Sequence, residues 1–132
     1  MEVQIFLAAC LLLLIQQLVG AALKILQSDV GFAWGIGPRD DSKANGILAG
    51  RAERATSNML ATFPIFVGLV CLLVVTGNTN EASETGAMIY LSARVAFFLI
   101  YLFVTVPMVR TIAWGISIGG LVRMAAQLMT GA

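Results

Sequence analysis

Two arginines and an asparagine, Arg51, Arg54 and Asn58, follow one another at steps of three and four residues and lead directly into the apolar stretch Phe63 to Val75. On a helix these steps set the three side chains on one face, where guanidinium and amide donors converge at the depth at which lipid headgroups give way to hydrocarbon. A second series, Tyr90, Arg94, Phe97, Phe98 and Tyr101, recurs at one- to four-residue spacing and gives a helix face bearing one cation, two phenols and an aromatic wall. Arg110 follows. A cation near the middle of an apolar run does not face lipid, so Arg94 is expected to point into a bundle or a subunit interface, toward the Asn58 carbonyl, Glu53 or an anionic ligand. Arg94 alone is equally well read as a structural arginine held by carbonyls and a neighbouring glutamate. With Arg51, Arg54 and Arg110 it forms a surplus of cations over the few acids Glu53, Asp40 and Asp41, and that surplus points to a bound anion.

Other chemistries are excluded by what the chain lacks. It has no histidine, which removes histidine general bases, histidine-ligated haem and histidine-bearing zinc sites, and no metal is expected. Cys10 and Cys71 are isolated in separate apolar runs, so a thiol relay has no C-x-x-C pair to use, and they read as packing residues. Nothing in the composition points to nucleic acid.

The elements that must position these residues follow from hydropathy. With 59% hydrophobic and 11% charged residues and a mean hydropathy of +0.92, a chain of 132 residues is too apolar for a soluble domain. Four stretches reach the roughly 20 residues a helix needs to cross a bilayer: Val3 to Leu26, Arg54 to Thr76, Thr85 to Val104 and Pro107 to Met129. One four-helix transmembrane domain over residues 1–132 follows. The first stretch begins with Glu2 in place of a basic region and stays apolar to Ile25, so it is expected as a retained helix and not a signal peptide. Lys24, Arg39, Lys43, Arg51 and Arg54 flank the first loop and Arg110 follows the third, whereas Gly77 to Glu84 carries no Lys or Arg. The positive-inside rule then places loops one and three in the cytoplasm and both termini on the opposite side, with Arg123 the one counter-signal.

The first loop is the one long connection. Gly31, Gly35, Gly37 and Pro38 break helix there, and Phe32 and Trp34 suit the headgroup region; both a partial lid and a solvated linker fit this composition. Pro107 restarts a helix after a short third loop, which predicts a tight hairpin of helices three and four. Gln16 and Gln17 read as hydrogen-bonding contacts across helices, and Gly115 and Gly119 as a candidate close-packing G-x-x-x-G face.

Three elements together resemble a known family. Gly37-Pro38-Arg39-Asp40-Asp41 is followed by Gly50-Arg51-Ala52-Glu53-Arg54-Ala55, then Asn58 and Phe63-Pro64-Ile65-Phe66; Ala93-Arg94 leads to Tyr101, and Pro107 to Arg110-Thr111. These look like the MAPEG family, the membrane-associated proteins in eicosanoid and glutathione metabolism, in its bacterial form. The resemblance implies a left-handed four-helix bundle that assembles as a homotrimer, with sites between subunits near the cytoplasmic face, and a bacterial inner-membrane location. It implies glutathione as the cofactor, and a glutathione transferase or peroxidase acting on small lipophilic electrophiles dissolved in the lipid bilayer. Carried over to this chain, Arg51, Arg54, Asn58, Arg94, Tyr101 and Arg110 would hold glutathione, with Arg110 the candidate to stabilise its thiolate.

Two positions depart from the family pattern. Ala61 stands where a glutamate usually meets the amino group of glutathione, and Phe97 stands where many active members carry tyrosine. Two readings therefore stay open: a glutathione enzyme with a modified site, and a family member that binds another anionic amphiphile or acts structurally. A proton-coupled exporter of four helices would need an acid deep in a span, and helix one offers Gln16 and Gln17 instead.

Overall fold

The computed structural model describes residues 1–27 and 47–131, and it consists of four helices: α1 (Glu2–Gln27), α2 (Ile47–Thr76), α3 (Glu81–Phe103) and α4 (Pro107–Thr130). All four are long and apolar enough to cross a membrane, and the chain is an integral membrane protein. The expected spans match α1 and α4 closely. In contrast, α2 starts at Ile47, about two turns before the expected span start at Arg54, so Arg51, Arg54 and Asn58 all lie on regular helix. The loop residues Phe32, Trp34, Arg39, Asp40, Asp41 and Lys43, and with them the lid reading, lie outside the described residues.

The turn from α2 to α3 is closed by chemistry that the sequence carries openly. Gly77 takes a positive φ of 71° after α2, and Asn80 caps α3 in a capping box with Ser83. Ser83 Oγ also donates to the buried Glu2 carboxylate, tying the start of α1 to the start of α3. Asn80 Nδ2 donates to Gln127 Oε1 at 3.2 Å and Arg123 Nε to the Ala82 carbonyl at 3.1 Å, which hold the end of α4 to the same place. At the other end only residues 104–106 separate α3 from α4, and Pro107 opens α4, where a missing N–H costs nothing.

Buried positions recur at three and four residues along α2, from Ala49 through Ala52, Ala55, Thr56, Met59, Thr62, Phe66 and Val70 to Leu73. They build two apolar clusters. One joins Phe66, Val70 and Leu73 to Ile5, Ala9, Ala87, Tyr90, Leu121 and Met124; the other joins Ala52 and Ala55 to Phe97, Phe98, Leu102 and Ala113. Arg94 falls between them along α3.

Helices α3 and α4 approach closely at Gly86 and Gly120. A Cβ on Gly120 would stand 2.6 Å from the Gly86 carbonyl and 2.8 Å from the Tyr90 amide nitrogen, and one on Gly86 would stand 2.8 Å from the Gly120 carbonyl. The G-x-x-x-G face expected from Gly115 and Gly119 is not the one used: a Cβ on either meets nothing within 4 Å. The contact depends on one glycine from each helix, and the spacing within α4 says nothing about which residue of α3 opposes it. Gly120→Ala is expected to destabilise the protein by about 1–3 kcal/mol through overpacking, while Gly115→Ala and Gly119→Ala leave the melting temperature in detergent unchanged within error.

Candidate functional site

The six arginine, asparagine and tyrosine residues singled out by sequence gather at the α3–α4 hairpin end of the bundle, but they do different things. Arg51 Nη1 donates to the Leu102 carbonyl at 3.1 Å. That carbonyl is in the last turn of α3, whose final acceptors have no helical donor, so Arg51 serves as a side-chain cap from α2. Arg54 Nε donates to the Tyr101 hydroxyl at 3.2 Å, and its guanidinium lies 5.9 Å from the same ring. Arg110 lies over that ring at 4.6 Å. Two cations thus converge on one phenol, and each gains from the electron-rich ring face.

Arg94 is fully enclosed, with 0% exposure. It donates from Nη1 to Asn58 Oδ1 at 2.7 Å, and its guanidinium sits 5.7 Å from the Tyr90 ring and 5.2 Å from that of Phe97. Its Nε and Nη2 have no acceptor among the described residues. Of the two places expected for Arg94, a bundle or a subunit interface, the structure gives the first, since the residue is enclosed within one chain and meets the Asn58 carbonyl. Behind it, the hydroxyls of Thr62 and Tyr90 bond at 3.1 Å, and Tyr90 stacks on Phe66 at 4.4 Å. Arg94 therefore stands behind Asn58 and orients its amide, and it does not line the open site.

The open site is a pocket of about 250 Å³ lined by Asn58, Phe97, Tyr101, Arg110, Thr111 and Trp114. Arg54 reaches its edge through Tyr101. Trp114 and Thr111 were not singled out as site residues from sequence, although the signal was there: Trp114 follows Arg110 by four residues and so shares its face of α4. The chemistry of the lining is two-sided. Phe97, Tyr101 and Trp114 make an apolar, π-rich wall, and Asn58 with Arg110 supplies amide and guanidinium groups suited to carboxylate or thiolate oxygen and sulfur. Among the described residues no carboxylate pairs with Arg51, Arg54, Arg94 or Arg110; Glu53 pairs with Lys24 at 3.4 Å.

A second groove, of about 270 Å³, lies between α1 and α2 and is lined by Gln16, Gln17, Gly20, Ala21, Lys24, Glu53, Thr56, Ser57 and Leu60. Gln16 is buried and donates from Nε2 to Met59 Sδ at 3.3 Å, while its Oε1 has no partner among the described residues. The expected contact across helices by Gln16 is present. Gln17 is exposed along the groove.

Asn58→Ala removes the one hydrogen-bond acceptor that Arg94 has among the described residues, and a buried cation left unpaired is costly. A loss of about 1–3 kcal/mol or more is expected. Arg54→Ala, on an exposed residue, should leave thermal stability without ligand almost unchanged. Thermal melts of the two variants in one detergent check the contrast.

The family model described as the MAPEG family matches residues 4–130. No curated protein and no solved structure matches the chain.

Proposed function

Because the chain belongs to the MAPEG family, we propose that it is a membrane glutathione-dependent transferase or peroxidase acting on lipophilic electrophiles, with its site at the Tyr101 pocket. The observation that carries this reading is the set of arginines around an aromatic wall that have no carboxylate partner among the described residues. An anionic, thiol-bearing peptide answers the cations, and an apolar electrophile answers the wall. Glutathione would supply the nucleophilic sulfur. Arg54 and Asn58 would hold its carboxylates, and Arg110, over the Tyr101 ring, would favour the thiolate by placing a positive charge beside it. The sulfur then forms its bond to the electrophilic carbon, the leaving group departs with the bonding pair, and the thiol proton passes to solvent.

The assembly proposed with it is a homotrimer in a bacterial inner membrane, with the hairpin end of α3 and α4 and the first loop on the cytoplasmic side and both termini opposite. One copy's pocket of about 250 Å³ falls below the ~300–1,000 Å³ usual for ligand sites, which supports a site completed by a neighbour. Arg54, exposed within a membrane-facing bundle, supports the same assembly; Arg94, which the sequence suggested for that argument, is already enclosed.

Ala61 and Phe97 favour a second reading, a family member that keeps the fold and an anion site without glutathione catalysis. The two readings separate by ligand stabilisation. Glutathione at 100 times its Kd should stabilise the protein by about 2.7 kcal/mol, and Arg54→Ala or Arg110→Ala should abolish the shift. Arg94→Lys should fail to preserve it, because an ammonium cannot reproduce the fixed guanidinium contact that orients the Asn58 amide. Ala61→Glu with Phe97→Tyr should tighten binding and raise conjugation of an aryl halide. A double variant showing neither shift nor conjugation would sink the enzyme reading, and a stable monomer in native mass spectrometry would sink the trimer.

A further inference from the structure

The two ends of the bundle are chemically opposite. At one end the turn from α2 to α3 reads Gly77-Asn78-Thr79-Asn80-Glu81, Glu84 follows one turn on, and Arg123 reaches the Ala82 carbonyl beside it. Such an end belongs in water. At the other end Phe103-Val104-Thr105-Val106-Pro107-Met108-Val109 joins α3 to α4 with no charge and one hydroxyl. These side chains do not fold back onto the bundle. Phe103 is 69% and Met108 66% exposed among the described residues, and Val104, Val106 and Val109 are exposed with them. The nearer apolar cluster takes Leu102 and Ala113 but none of 103–109. An uncharged, unpacked tip of this kind is unfavourable in water.

Helix length says where the tip ends. At 1.5 Å per residue, Glu84 stands about 29 Å from Phe103 along α3, and Arg123 about 24 Å from Pro107 along α4. A hydrocarbon core is roughly 30 Å thick, and an ordinary tilt shortens both spans further. With Glu84 and Arg123 at the headgroups of one side, the tip therefore reaches the far boundary without clearing it. Helix α2 differs, since its 30 residues rise about 45 Å and carry Arg51 and Arg54 to that boundary. The backbone at the tip suits a place with little water. Val104 N–H donates to the Ile100 carbonyl at 2.8 Å, Arg51 covers the Leu102 carbonyl, the Thr111 hydroxyl covers that of Pro107, and Pro107 has no N–H. The first N–H groups of α4 have no side-chain cap, so the tip stops at the level of lipid ester oxygens, which accept from them, and goes no deeper.

Charge fits the same surface. Arg54 gives Nε to Tyr101 and lays Nη1 and Nη2 back over Gly50, where an added Cβ would stand 3.2 and 3.8 Å from them. Gly50 is one turn nearer the start of α2, so these donors turn toward the headgroups, where phosphate is the acceptor at hand.

We propose that the α3–α4 tip is a lipid-docking surface, which ends at the ester level of its leaflet with Phe103, Val106 and Met108 among acyl chains and the phosphate of an anionic lipid on Arg54. The tip is an interfacial anchor and not a water-exposed loop. This does not rest on the glutathione reading: lipid takes the tip with the pocket empty or filled, and a pocket ligand that takes Arg54 displaces the phosphate.

Depth is tested with nitroxide spin labels introduced one at a time through Thr105→Cys, Val106→Cys and Thr79→Cys, in a chain whose Cys10 and Cys71 are replaced by serine. The protein is placed in vesicles of phosphatidylcholine with phosphatidylglycerol. Collisions with oxygen, which concentrates among acyl chains, should exceed those with a water-soluble nickel chelate severalfold at 105 and 106, and the order should reverse at 79. Chelate collisions at 105 and 106 as frequent as at 79 would put the tip in water and overturn the proposal. Labels shielded from both agents would mean that protein covers the tip, and would overturn it too. For the phosphate, phosphatidylglycerol should raise the melting temperature of wild type above that in phosphatidylcholine alone. Arg54→Ala should remove most of that rise while melting as wild type does in phosphatidylcholine. An equal rise in both chains, or none in either, overturns the Arg54 contact.

Discussion

The fold is organised around a buried arginine that has no carboxylate partner among the described residues. Arg94 sits between two apolar clusters, and its partners among the described residues are one hydrogen bond, to Asn58, and two aromatic faces. A guanidinium in so dry a place must be over-determined by its neighbours, because its alternatives in lipid are worse. The Thr62 and Tyr90 hydroxyls satisfy each other beside it, and Phe66 stacks on Tyr90. This layer fixes the register of α2 against α3. Asn58 can then present its amide to the Tyr101 pocket only in the orientation that Arg94 sets, so the interaction that locks the core also aims one wall of the site.

The four arginines illustrate how little residue type says about role. Arg51 caps the end of α3, Arg94 anchors the core, and Arg54 and Arg110 attend the Tyr101 ring at the pocket. All four were legible in the sequence as cations at membrane depth. Their division of labour was not, because it depends on the crossing of α2 and α3, which brings Leu102 to Arg51 and Tyr101 to Arg54 across 51 and 47 residues of sequence. Periodicity fixes which residues share a face of one helix, and it leaves open which face of the next helix they meet.

The same distinction explains where the sequence reading of the fold succeeded and failed. The four spans and the tight hairpin at Pro107 rest on local signals, and they were legible. The close contact of α3 and α4 was assigned to Gly115 and Gly119, whereas Gly120 and Gly86 make it. Gly115 and Gly119 share one face of α4 and Gly120 lies on another, and only the opposing glycine on α3 selects between them. Trp114 was overlooked for a similar reason: as part of a glycine-rich run it reads as packing, and its place in the pocket appears only once Tyr101 and Phe97 are set opposite.

Depth is the remaining constraint on any chemistry here. Arg51, Arg54, Tyr101 and Arg110 cluster at the hairpin end, where α3 leaves its apolar run and α4 begins, and they grade inward through Asn58 to the enclosed Arg94. A water-soluble anion can approach such a set from the headgroup side without crossing hydrocarbon. An apolar molecule can reach Phe97 and Trp114 from the lipid, Trp114 being 41% exposed, without entering water. A pocket deeper in the bundle would exclude the anion through desolvation, and one farther out would lose the lipophile to the membrane. The boundary is therefore the one level at which the two partners of the proposed reaction would meet at tolerable cost, with the cations there to hold an anion against the pull of water. Arg94 makes that placement stable, because a charge locked one turn deeper keeps Asn58, and with it the polar edge of the pocket, from drifting toward the headgroups.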